Sequence, residues 1–148
     1  MANKNKNKGD RAERAVRDWA VKHWPDSFKT RAGFSDDLGD VIATHPAGNI
    51  VLQVKDVAKP DWKKWFKQIR EQVETCRAKS KPVPVLGGVI VHKARGVSDP
   101  ARWRAVVELE SLHALIDEAY NAGLEAGARR GRAMLTNPYS SNPYSPPR

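Results

Sequence analysis

Gly39-Asp40-Val41-Ile42-Ala43, the turn His45-Pro46-Ala47-Gly48-Asn49, and Ile50-Val51-Leu52-Gln53-Val54-Lys55-Asp56 make up the stretch whose reading decides the fold. Aliphatic and β-branched residues on both sides of a Pro-Ala-Gly-Asn turn predict a β-hairpin. Its strands carry an acid, an amide and a lysine into an apolar setting, where such groups are rarely placed without a partner or a task. Gln53 and Lys55 are two apart, so strand alternation puts both on one face, opposite Leu52 and Val54, and in a hairpin Asp40 can share that face.

Working outward, Asp10 to His23 places Ala12, Val16, Trp19, Ala20 and His23 on one face at helical spacing, and Pro25 ends the run. Ser27 to Arg31 and Leu38 to Thr44 are strand candidates that precede Asn49 to Asp56, giving an antiparallel meander. From Pro60, Trp62, Trp65, Phe66, Ile69, Val73 and Cys76 recur at spacings of three and four, with lysines and arginines mostly on the other faces, which predicts a basic amphipathic helix. Val83 to His92 is a continuous apolar run and reads as a strand buried on both faces, joined to the hairpin by a βαβ crossover. Arg102 to Leu109 reads as a further strand, and Ser111 as the cap of a helix carrying Leu112, Leu115, Ile116, Ala119 and Leu124. The order is αβββαββα: an α/β fold with a mixed central sheet flanked by helices.

The chain has 148 residues, enough for one domain, expected over residues 9–133. Met1 to Lys8 alternates Asn and Lys and reads as a flexible basic arm. Residues 134–148 repeat Asn137-Pro138-Tyr139-Ser140 as Asn142-Pro143-Tyr144-Ser145 and read as a disordered Pro/Tyr/Ser tail. Lys and Arg number 26 against 17 Asp and Glu, a net charge of +9 at pH 7, so an extended polyanion suits the chain better than an acidic small molecule. No apolar run approaches the roughly 20 residues of a membrane-spanning helix, and no signal-peptide pattern is seen, so a soluble, cytoplasmic protein without a membrane partner is expected. The single cysteine, Cys76, leaves no internal disulfide and no Cys-based zinc cluster. His23, His45, His92 and His113 lack ligand spacing, and no phosphate-loop motif is present, so neither a His-bound zinc nor a nucleotide cofactor is expected.

Phosphodiester hydrolysis uses a divalent cation that activates a water and offsets growing negative charge, and hard cations such as Mg²⁺ want oxygen ligands. Asp40, the amide oxygen of Gln53 and the backbone carbonyl of Val54 are candidate ligands. Lys55 on the same strand would orient the attacking water or neutralise the scissile phosphate. Glu13 lies about 20° beyond Ala20 on the helical wheel, at the edge of the apolar stripe. It is either a fourth ligand at the sheet end or a boundary acid paired with Arg17 four residues on. For DNA contacts, Lys8 and Arg11 near the start, Arg31 and Ser35 in the loop Thr30 to Asp37, and Lys93 and Arg95 after the buried strand are candidates. Lys63, Lys64 and Lys67 form either a phosphate-facing stripe or a solvated helix face. Asp36 and Asp37 read as loop acids, and Trp19, Trp62 and Trp65 as core or dimer contacts. Trp103 falls within the last strand.

Lys8-Gly9-Asp10-Arg11-Ala12-Glu13-Arg14, Gly39-Asp40-Val41-Ile42-Ala43, Gln53-Val54-Lys55 and Glu71-Gln72-Val73-Glu74, taken in order, resemble the Holliday junction resolvases of archaeal type, within the PD-(D/E)xK nuclease superfamily. The resemblance covers about Lys8 to Val91 and implies a restriction-endonuclease-like αβββαβ core with an added C-terminal strand and helix. It implies a Mg²⁺-dependent endonuclease, with Mn²⁺ as a substitute, acting on branched DNA as a homodimer. Glu13, Asp40, Gln53 and Lys55 fall on the catalytic positions, and Glu13, Asp40, Gln53 and Val54 on the metal positions. The chain departs from the family in having Gln53 where Glu is usual and Gly39 where Pro is usual. Restriction- or repair-type cleavage, or DNA binding without cleavage, are the alternatives on the same core. Helix two and the last helix, with Tyr120 and Leu124, are candidates for self-association.

Overall fold

The computed structural model of the chain describes residues 3–31 and 37–136, and for 133–136 the backbone alone. Eight main elements follow in the order α1 Lys4–His23, β1 Phe28–Lys29, β2 Val41–His45, β3 Gly48–Lys55, α2 Trp62–Lys79, β4 Val85–His92, β5 Arg104–Val106 and α3 Leu109–Thr136. The five strands lie side by side in sequence order. β1, β2 and β3 pair antiparallel, β3 and β4 pair parallel through the α2 crossover, and β5 returns antiparallel on β4. The architecture is therefore α/β, with a mixed five-stranded sheet flanked by helices.

Alternation along the central strands divides the core in two. Val41, Ala43, Leu52, Val54 and Val89 point to the side covered by Ala12 and Val16 of α1. Ile42, Val51 and Ile90 point to the side covered by Trp65, Ile69, Val73 and Cys76 of α2. β4 is buried along nearly its whole length, as its continuous apolar sequence requires. Gly88 makes the α2 approach close: a Cβ at this position would come within 2.5 Å of Ile69 and 2.8 Å of Val73.

Several boundaries differ from the sequence expectation. α1 begins at Lys4, because the Asn3 side chain accepts the backbone N–H of Asn5 and caps the helix. Lys4–Lys8, expected as a flexible arm, thus extends α1. α2 begins at Trp62 with Asp61 as its cap, the carboxylate accepting from Lys64 N. α3 begins at Leu109, so Ser111 sits inside the helix against Gly87 and is not its cap. Trp103 precedes β5, closing a short 3₁₀ turn over Pro100–Arg102, and is buried with its indole N–H donating to Val97 O at 2.8 Å. The proposed tail lies outside the described residues except for 134–136, which continue α3.

The close contact at Gly88 makes Gly88→Ala destabilising by about 1–3 kcal/mol through overpacking. Gly9→Ala, within α1 and with nothing near the added methyl, raises stability by up to about 1 kcal/mol. Urea unfolding of both variants checks the two signs.

Candidate active site

The open end of the β2–β3 hairpin is built around Asp40. Strand pairing on this side of β3 ends at Val41–Leu52, and Asp40 N–H still donates to Leu52 O at 3.0 Å. Beyond that point the Asp40 carboxylate takes over from the backbone, Oδ2 accepting Val54 N–H at 2.6 Å. Gly39 allows this turn. Its φ of +90° belongs to the region that favours glycine, and a Cβ there would lie 2.6 Å from Val51 Cγ1. A proline, with φ fixed near −65°, does not fit this turn. Thr30 Oγ1 donates to the carbonyls of Gly39 and Asp40, tying β1 to the same turn.

Asp40 sits directly opposite Gln53 when the Val41–Leu52 register is extended by one residue. Gln53 is 1% exposed and its amide oxygen is buried with no hydrogen-bond partner among the described residues. An unmade hydrogen bond of this kind costs about 1–3 kcal/mol. Since Val54 N–H faces the Asp40 side of β3, strand geometry turns the Val54 carbonyl to that side too, past the last β2 partner.

Lys55 completes the strand. Its ammonium lies 3.4 Å from Gln68 Oε1 and 5.7 Å from the centre of the Trp65 ring, both on α2. Burial pulls its pKa below the usual lysine range; the Asp40 charge opposes that, while nearby Lys64 adds to it. Asp40 is shifted the other way, up to about 6. Burial is the main cause, the Val54 N–H works against it, and the charges of Glu13 and Asp37 add to it. Glu13, on α1, is therefore close enough for its charge to be felt by both Asp40 and Lys55. Its carboxylate is held by Lys29 of β1 at 2.8 Å and not by Arg17, which pairs with Asp18. Lys29 also binds Asp10 at 2.6 Å. Burial lowers the Lys29 pKa, but the hydrogen bonds to Asp10 and Glu13 outweigh it and leave the ammonium above its usual range.

Four sequence candidates, Glu13, Asp40, Gln53 and Lys55, and the Val54 backbone thus gather at one sheet end. No three His, Cys, Asp or Glu side chains among the described residues group as a metal site. The donors here are two carboxylates, a neutral amide and a backbone carbonyl. That set is all oxygen and suits a hard cation in chemistry, and the unpartnered Gln53 oxygen is the feature that such an ion would satisfy.

Of the expected DNA contacts, Lys8 and Lys93 converge on Asp56, each at 3.3 Å, immediately after Lys55. Arg11, Arg31, Lys63, Lys67 and Arg95 are exposed at separate places on α1, the β1–β2 loop, α2 and the β4–β5 connection. Ser35 and Asp36 lie outside the described residues. Sequence reasoning missed Lys29, Gln68 and the buried Gln72, whose Nε2 donates to both Asp37 oxygens at 2.9 and 2.8 Å. Only Gln72 carried a signal, since it is a polar residue on the buried stripe of α2. Comparison with family models, with curated proteins and with solved structures finds no match.

Because folding raises the Asp40 pKa from 3.8 to about 6, the fold prefers the protonated carboxyl. Its stability contribution is fully present below pH 3.8 and lost as pH rises through 6, about 3 kcal/mol in all. Asp40→Asn keeps an oxygen for Val54 N–H without the charge. Urea unfolding in EDTA should show the variant gaining about 2 kcal/mol on the wild type between pH 4.5 and pH 7.5. Equal pH profiles would mean that Asp40 carries no buried charge.

Proposed function

We propose that this chain is a divalent-cation-dependent DNA endonuclease on a restriction-endonuclease-like core, with four-way junctions as its favoured substrate. The observation that carries the reading is the unpartnered amide oxygen of buried Gln53, lying opposite Asp40 on the strand that also presents Lys55. The resemblance to the PD-(D/E)xK superfamily supports the same assignment of residues. A basic surface supports the substrate class, since phosphate contacts supply most of the affinity for DNA.

In this reading Asp40, Gln53 and the Val54 carbonyl would hold Mg²⁺ or Mn²⁺, with Glu13 as the further carboxylate once it leaves Lys29. A cation held there would lower the pKa of a bound water and draw charge from the scissile phosphate. Lys55 has the complementary task. Its ammonium is fixed by Gln68 and the Trp65 face, so it meets the phosphate or the attacking water without reorganising. Its depressed pKa lets it give up a proton more readily than an exposed lysine. Lys8 and Lys93, already beside the site, would grip the flanking backbone, with Arg31 and Arg95 at its margins.

A second reading, DNA binding without cleavage, is favoured by one observation. The Glu13 carboxylate is engaged by Lys29, and Gln53 brings no charge, so a single uncompensated carboxylate remains at the site. A cleavage assay on a synthetic four-way junction separates the readings. The wild type is expected to cut with Mg²⁺ or Mn²⁺ and not in EDTA, and Asp40→Asn and Lys55→Ala to lose at least about 100-fold in rate while still binding the junction. Linear duplex, flap and single-stranded controls fix the preferred geometry. If no protein cuts, or all three cut alike, the endonuclease proposal fails and only the binding module stands.

A further inference from the structure

The last helix, α3, has two apolar faces and the sheet uses one. Toward the sheet it offers Leu115, which joins the core on the α1 side, and Ser111, 3.2 Å from where a Cβ on Gly87 would sit. At about 100° per residue, Leu109, Leu112, Ile116, Tyr120 and Leu124 fall on a different stripe. All five are exposed, from 41% at Leu112 to 83% at Leu109. Isolated exposed apolar residues are ordinary, but a contiguous stripe marks a docking surface. α3 has 28 residues and so extends about 42 Å, yet among the described elements its backbone comes close to β4 alone. A helix with three interior glycines and so little packing is marginal in water by itself.

We propose that α3 pairs with the α3 of a second copy of this chain, antiparallel, about a two-fold axis near Tyr120. Two independent asymmetries along the helix fit that partner. First, the exposed stripe changes character halfway. Its N-terminal half carries large side chains, whereas Gly123, Gly127 and Gly131 continue the same azimuth with open space where a Cβ would be. A two-fold at Tyr120 sets Leu109 against the partner's Gly131 and Leu112 beside the partner's Gly127, where bulk meets bare backbone, and Ile116 against the partner's Leu124, an apolar pair flanking the axis. Second, the charge reverses along the helix. Residues 109–122 hold Glu110, Asp117 and Glu118 with no Lys or Arg, while residues 123–136 hold Arg129, Arg130 and Arg132 against Glu125 alone. Antiparallel pairing in this register sets Glu110 opposite the partner's Arg130, and Asp117 and Glu118 opposite the partner's Gly123 and the partner's Ala122, which carry no charge. A parallel pair would stack like charges and leave glycine facing glycine. A surface that complements itself end for end is what an isologous interface requires. The proposal stands apart from the reading of the sheet-end site.

Sedimentation or light scattering of the full chain over a concentration series is the first test, and needs no DNA. A dimer is expected, and Ile116→Glu should raise its dissociation constant at least about tenfold. Ile116 is 59% exposed, so an unchanged cooperative melt confirms that the variant still folds. Tyr120→Cys lies on the proposed axis and should form an intermolecular disulfide under mild oxidation. Leu109→Cys should not, because its two copies would be about 33 Å apart; the native Cys76 is buried and stays out of the reaction. A chain that is monomeric throughout, or a dimer indifferent to Ile116→Glu, overturns the pairing. Cross-linking through Leu109→Cys overturns the antiparallel register.

Discussion

A carboxylate standing in for a strand holds the open end of the β2–β3 hairpin together. Where β2 stops, Asp40 Oδ2 accepts the Val54 N–H that a further β2 residue would have taken. Backbone donors buried without partners are costly, so the substitution lets β3 run on past its neighbour. The exchange is expensive in another way, because a charge now sits in burial deep enough to lift its pKa to about 6. Everything around it serves to fix that carboxylate. Gly39 supplies the left-handed turn, Thr30 clasps the two carbonyls beside it, and Asp37 accepts Gly39 N–H while Gln72 holds Asp37 from α2.

The unsatisfied polar atoms belong to the same neighbourhood. Buried oxygens of Gln53 and Gln72 and the Nδ1 of His92 lack partners among the described residues. Gln53 is opposite Asp40, Gln72 reaches Asp37 beside Gly39, and His92 pairs in register with Lys55. The other end of the hairpin, by contrast, closes with His45 Nδ1 accepting Ala47 N–H and Ser27 accepting Thr44 N–H. A sheet shaped for stability alone would bury aliphatic side chains at both ends. Departures of this kind are gathered at one end of the sheet.

The strands and helices were readable from the sequence because each is set by spacing within itself. The period-two hairpin, the apolar run of β4 and the three- and four-residue repeat of α2 appear at their expected places. Short-range chemistry moved the ends: the Asn3 cap lengthened α1, and nothing in a polar Asn-Lys run announces a helix without it. At the site, Asp40, Gln53 and Lys55 were visible since one hairpin carries all three. Lys29 and Gln68 were not, and Gln72 stood out only as a polar residue on the buried stripe of α2. They meet the site across 19, 13 and 35 residues of chain, through partners that only the crossover and the α1 packing bring near. Glu13 shows the same limit, since its pairing with Arg17 was reasonable on the helix surface and Lys29 outcompetes it from the neighbouring sheet.

That competition also explains how the cluster stays folded with so many acids. Asp10 and Glu13 share Lys29, Arg14 pairs with Asp10 besides, and Asp40 faces Lys55 with Lys64 near it. Lys29 is largely withdrawn from solvent and bound to two of the acids at once, so it offsets charge on the α1 side. Asp10 and Asp37 reach water, which screens their charge. Asp40 is withdrawn from it and retains its proton to a higher pH. The carboxylate that caps the end of β3 is thus the one whose charge is costly to fold, at the same sheet end where the buried amide oxygen of Gln53 lacks a partner among the described residues.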